Sequence, residues 1–158
     1  MSTTGAILCA TRGGEASYHA QDHAIALAKA RGARLVFFFV ADAKFTTLVS
    51  AAIVVDVETE IEHMGEFLVL MAKERAAKQG VEAETLVKRG VFSEALIEAI
   101  EETGCDTVIF GQPKAHRRTT LEYLETLSTN LASEYGIGDD YRIVQADRAW
   151  KTPYDKTN

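Results

Sequence analysis

The segment DTVIFGQPKAHRRTTLE, residues 106–122, gathers the side chains best suited to hold an anion. Val108, Ile109 and Phe110 form a short apolar run that reads as a buried strand, and Gly111 ends it. Thr119 and Glu122 have the T-x-x-E spacing of a capping box, so a helix is expected to open there. Between them lie Lys114, His116, Arg117 and Arg118. A loop leading from a strand into a helix N-terminus presents backbone N–H groups and the positive end of the helix dipole to an anion. Arginines add bidentate contacts to phosphate or carboxylate. Two features oppose a polyphosphate. The segment lacks the glycines that let phosphate approach the backbone, and Glu122 puts a carboxylate near the helix start.

Other basic residues fall where they would join the same edge of a parallel sheet: Arg12 after the first strand, Lys88 and Arg89 at the end of the third. The competing reading is a set of solvated charges paired with nearby carboxylates. His19 and His23 are spaced i, i+4 and could share a metal from one helix face, but no third ligand accompanies them, so no metal site is expected. Cys9 and Cys105 lie in or beside apolar strands and read as core thiols. Ser17 and Ser93 are expected to cap helices, and Asp42 and Asp56 have no partner fixed by spacing. No set of nucleophile, base and orienting group emerges. The residues favour binding over catalysis, and no cofactor is required.

The elements that must carry these groups alternate along the chain. Residues 6–10 are an apolar strand. Residues 17–31 place Ala20, Ala24, Leu27 and Ala28 on one helical face, with Gly32 at the C-terminal cap position. Residues 35–40, LVFFFV, are apolar on both faces, as in a central parallel strand covered by helices. A long helix is expected from about residue 56. Val57, Ile61, Met64, Leu68, Met71 and Arg75 form its expected inner stripe, Glu58, Glu60 and Glu62 its first turns, and Gly80 its end. A weaker strand at 82–88, a helix at 93–103 closed by Gly104, and the strand at 107–110 follow. Leu124, Leu127, Leu131 and Tyr135 mark a further helix, and 141–146 a last strand. Residues 43–55 are rich in apolar side chains for a connection. Strand and helix in alternation imply a mostly parallel sheet with helices on both faces. The domain is expected to span 1–147, with 148–158 a tail that Trp150 and Tyr154 could dock.

The 158 residues suffice for one domain with a sizeable core. The net charge of −6 argues against general nucleic-acid binding. No apolar stretch is long enough to span a membrane, and the first residues do not read as a signal peptide, so a cytoplasmic location is expected.

ILCATRGGEAS at 7–17, HAIALAKARGARLVFFFVAD at 23–42 and GVFSEALIEAIEETGCDTVIFG at 90–111, in this order, resemble the universal stress protein family. The resemblance implies a single doubly wound, five-stranded parallel sheet of order 3-2-1-4-5. It implies a regulatory or stress-response role and a homodimer through the last strand. It also implies a ligand crevice between the turn after strand one and the loop after strand four, where many members bind ATP. The candidate ligand residues are therefore Thr11, Arg12, Gly13, Val40, Gly111, Lys114, Arg117, Arg118 and Thr119. ATP-binding members carry G-x-x-G-x9-G-S/T after strand four. Here Gly111 matches the first position, whereas Lys114, Leu124 and Glu125 occupy the others. An aspartate common in the family's first turn is Arg12. The expected ligand is thus a phosphate-bearing or other small anion rather than ATP held in the usual family manner. A noncanonical adenine-nucleotide binder with at most weak hydrolase activity is the alternative.

Overall fold

The computed structural model describes residues 5–11, 15–42, 51–111 and 141–144. Its elements are β1 (Ala6–Ala10), α1 (Glu15–Arg31), β2 (Arg34–Ala41), α2 (Ala51–Lys78), β3 (Ala83–Arg89), α3 (Phe92–Thr103), β4 (Thr107–Gly111) and β5 (Tyr141–Val144). All pairings are parallel. β3, β2, β1 and β4 form the body of the sheet in that order, and the four-residue β5 lies on the outer edge of β4.

Alternation along the strands divides the core in two, because successive side chains point to opposite faces. Ile7, Cys9, Leu35, Phe37, Phe39 and Ile109 meet the small residues Ala20, Ala24 and Ala28 of α1 and Val69, Ala72 and Ala76 of α2. Leu8, Val36, Phe38, Val108 and Phe110 meet Ala95, Leu96, Ala99 and Ile100 of α3. The expected layout of helices on both faces of a parallel sheet is therefore present. Cys9 and Cys105 are both buried and free, and they belong to opposite layers.

Several local expectations change. α2 starts at Ala51, so no acidic residue occupies its first turn, and Glu58, Glu60 and Glu62 lie well inside it. Its inner face is also rotated. Gly65, Val69, Ala72 and Ala76 are buried, Ile61 and Leu68 are partly so, and Met64 and Met71 face outward. The reason is close approach: Gly65 lies against the ring of Phe39, and the alanines let the helix settle onto β2 and β3. Half-buried Arg75 leaves the apolar stripe to tie α2 to α1. Its guanidinium carbon is 5.0 Å from the centroid of the Tyr18 ring, and Nη2 donates to Asp22 Oδ1.

Neither serine precedes its helix. Ser17 is inside the first turn of α1, and Ser93 is inside α3. The N-cap position of α3 is Val91, which supplies no side-chain hydrogen bond. Asp42, at the end of β2, accepts instead from the Phe92 backbone N–H at 3.3 Å.

At the amino edge of the sheet, Arg31 donates through Nη2 to both carboxylate oxygens of Asp106, at 3.0 and 2.8 Å, and through Nη1 to Thr107 Oγ1 at 2.9 Å. This clamp joins the end of α1 to the start of β4. Gly5, at φ 69°, lies beneath it. A β-carbon there would crowd Arg31 Nη2 at 2.7 Å as well as the Asp106 carboxylate.

Candidate functional site

The direction of winding reverses at β1. The connections from β1 to β2 and from β2 to β3 run through α1 and α2 on one face, whereas the connection from β3 to β4 runs through α3 on the other. In open parallel sheets such a reversal leaves a crevice at the carboxyl ends of the two diverging strands. Here those strands are β1 and β4.

Three of the residues expected at this site, Thr11, Val40 and Gly111, fall within the described residues at the carboxyl ends of β1, β2 and β4. Thr11 follows the last residue of β1, and its backbone N–H donates to Phe38 O of β2 at 2.8 Å. Ala10 is paired with Phe110, so Thr11 and Gly111 are the next residues along neighbouring strands. Val40, near the carboxyl end of β2, is partly exposed and packs against the α3-side core. All three are at the carboxyl ends of neighbouring strands, with the Thr11 side chain turned toward α1 and that of Val40 toward the α3 side. Arg12, Gly13, Lys114, Arg117, Arg118 and Thr119 lie outside the described residues, as do His116 and Glu122.

The Thr11 hydroxyl is already engaged. Gln21 Nε2, two turns into α1, donates to Thr11 Oγ1 at 2.5 Å. Both residues are buried, and Gln21 Oε1 has no hydrogen-bond partner among the described residues. An unpaired buried amide oxygen is costly, and this residue reaches the carboxyl end of β1 from the α1 side. Sequence reading missed Gln21. The signal was its position between Ser17, Ala24 and Ala28 on a face that is otherwise small or apolar.

Two of the basic residues expected to line the mouth are committed elsewhere. Lys88 Nζ lies 3.5 Å from Glu102 Oε2. Arg89 donates to both carboxylate oxygens of Glu62, at 3.0 and 2.8 Å, and to Thr59 Oγ1 at 3.5 Å. The hydrogen bond from Arg89 holds the Glu62 carboxyl below its ordinary range and raises the guanidinium. For this pair of residues the solvated, paired reading holds; the other expected basic residues lie outside the described residues.

Neither cysteine is at the carboxyl edge, and neither is a ready thiolate. Burial pushes the Cys9 thiol far above its ordinary value, and desolvation pushes Cys105 up to about 11. Among the described residues, no group of three or more His, Cys, Asp or Glu could hold a metal ion. The described carboxyl edge consists of strand ends, one buried polar pair and the N-terminal end of α1.

A sequence model described as "Universal stress protein family" matches residues 4–129. Comparison with curated proteins finds no match. Among solved structures, a protein from the universal stress protein family of Burkholderia pseudomallei aligns at 22% identity and a TM-score of 0.63, over 92% of this chain and 98% of that one. A universal stress protein in complex with cAMP aligns at 20% identity and 0.59, over 92% and 100%. A universal stress protein family protein from Arabidopsis thaliana with AMP bound aligns at 11% identity and 0.60, over 89% and 91%. At these identities the likeness is one of fold.

Proposed function

Because this chain belongs to the universal stress protein family, we propose that it is a regulatory or stress-response module whose carboxyl-edge crevice takes a small phosphate-bearing or other anionic ligand. It does not bind Mg-ATP in the manner usual for the family. The observation that carries this reading is the winding reversal between β1 and β4 with Thr11, Val40 and Gly111 at the carboxyl ends of adjacent strands, beside loops whose sequence supplies Arg12, Gly13, Lys114, Arg117, Arg118 and Thr119. Lys114, Leu124 and Glu125 stand at three of the four positions of the family's phosphate pattern. A β-carbon and a long stem where glycine belongs keep a triphosphate from lying along the backbone. Arginines can still hold a single phosphate through bidentate contacts.

A second reading is an adenine mononucleotide binder. It draws support from the structural neighbours in complex with cAMP and with AMP, each a ligand with one phosphate. No set of nucleophile, base and orienting group emerges from the sequence, so the proposed role is binding and not turnover. The domain would extend over 1–147, act in the cytoplasm and pair through the edge of β5, since an uncovered apolar strand edge tends to acquire a partner. No helix among the described residues is long and apolar enough to cross a membrane.

Calorimetry with Mg-ATP, AMP and sulfate tests this function, on the native protein and on a variant with Arg117→Ala and Arg118→Ala. The expected result is weak or absent ATP binding, and binding of a smaller anion that the double replacement abolishes. Tight ATP binding unaffected by the replacements would overturn it.

A further inference from the structure

The rotation of α2 leaves a second apolar stripe on its solvent side. Met64, Phe67, Leu70 and Met71 are 54, 63, 55 and 37% exposed. They are not scattered. Glu60, Met64, Phe67, Met71, Glu74 and Lys78 recur at spacings of four, three, four, three and four, and every one is exposed. At 3.6 residues per turn these six fall within an arc of about 80°. The residues facing the sheet, Gly65, Val69, Ala72 and Ala76, occupy the opposite side. Alternating steps of three and four are the spacing of a coiled-coil seam, whose natural occupant is a helix with the same spacing.

The charges on the seam identify that helix. Glu60 lies toward the start of α2 and Lys78 is its last residue. Neither they nor Glu74 take part in an ion pair among the described residues. Parallel pairing of two copies would set Glu60 against Glu60 and Lys78 against Lys78. Antiparallel pairing with Phe67 opposite the second copy's Met71 sets Glu60 opposite the second copy's Lys78. The two-fold axis then makes that ion pair twice. Met64 falls opposite Glu74, whose methylenes can cover it while its carboxylate stays at the rim. The carboxylates on the seam and the net charge of −6 disfavour an anionic membrane as the occupant.

We propose that α2 is a self-association surface, on which a second copy of this chain docks its own α2 antiparallel, with Phe67 against Met71 at the centre and Glu60 against Lys78 at both ends. This interface is independent of the ligand crevice. It is also separate from β5: α2 covers β2 and β3, and β5 is at the other end of the sheet. A pair formed through each surface would therefore add and not compete.

Sedimentation velocity over a concentration series tests the proposal, with the full chain and the variants Phe67→Glu, Glu60→Lys, Lys78→Glu and the Glu60→Lys/Lys78→Glu double. All three positions are on the surface, and circular dichroism checks that each variant is folded. The native chain is expected to show an association step that Phe67→Glu weakens by about 100-fold or more, since it places an unpaired charge at the centre of the seam. Each single charge reversal is expected to weaken that step by about 10-fold. The double reversal should restore it to within about threefold, because it re-forms both end pairs. The charge series keeps the test decisive should Phe67→Glu misfold. Identical masses for the native chain and Phe67→Glu at every concentration would overturn the proposal, and so would a double reversal as weak as the singles.

Discussion

Gly65 of α2 and the ring of Phe39 on β2 are so close that no β-carbon fits between them: one built on Gly65 would lie 2.7 Å from Phe39 Cγ. Phe39 is 7% exposed, so its ring cannot swing away into solvent. An interior helical glycine normally costs about 1 kcal/mol relative to alanine. Here the contact reverses the sign. Gly65→Ala is expected to destabilise by about 1–3 kcal/mol through overpacking. Adding Phe39→Leu should recover part of that loss although each change alone is unfavourable. Chemical denaturation of the two singles and the double measures the coupling; strictly additive effects would refute the contact as the cause.

Thr11 and Gln21 should respond asymmetrically. Thr11→Val removes the only partner of the Gln21 amide among the described residues and leaves a buried amide unpaired. The expected cost is about 1–3 kcal/mol. Gln21→Leu removes the orphaned oxygen with its carrier and leaves the Thr11 hydroxyl oxygen without this donor, so its cost is expected to be smaller. Equilibrium unfolding of both variants decides the order, and a larger loss for Gln21→Leu would contradict this account of the pair.

Acid should weaken two exposed links between elements. The hydrogen bond from Arg34 holds Glu84 below its ordinary value, and the hydrogen bond from Arg89 does the same for Glu62. A carboxylate whose pKa is lower in the folded state binds fewer protons there than in the unfolded chain. Its contribution is complete above the ordinary carboxylate pKa and is lost as pH falls through the depressed value. The melting temperature is therefore expected to fall across that acidic window. Glu84→Gln and Glu62→Gln should each flatten the fall, and should lower stability at neutral pH only slightly because both pairs are exposed. Curves that remain parallel to the native one would exclude these pairs as contributors.

The thiols should report global opening. Cys9 is fully enclosed, and desolvation raises both thiols. Thiolate is the reactive form, so a thiol reagent at pH 8 is expected to leave both untouched in the folded protein and to label both in denaturant. Labelling kinetics that track unfolding would fit this burial. Rapid labelling of Cys105 in native buffer would contradict it. No disulfide between the two is expected, since they lie in opposite layers of the core.

Much of the architecture was legible because its signals are local. The runs at Ile7–Leu8–Cys9 and at Leu35 to Val40, and the glycines at 32, 80 and 104, all with positive φ, mark strands and helix ends through short-range periodicity and steric freedom. Their alternation leads directly to a parallel sheet with helices on both faces. The same runs carried the family resemblance, and with it the placing of Thr11, Val40 and Gly111 at one edge. The inner face of α2 was not legible. Its sequence holds two stripes at helical spacing, one with Met64 and Met71 and one with Gly65, Val69, Ala72 and Ala76, and hydrophobicity alone favours the bulkier. The sheet chose the smaller, because only glycine and alanine let the helix backbone come down onto Phe39. Long-range polar partners were equally hidden. Asp42 finds the Phe92 N–H, Arg89 finds Glu62, and Lys88 finds Glu102. Each pair is far apart in sequence, and no local spacing announces a meeting that only the packing of α2 and α3 against the strand ends brings about.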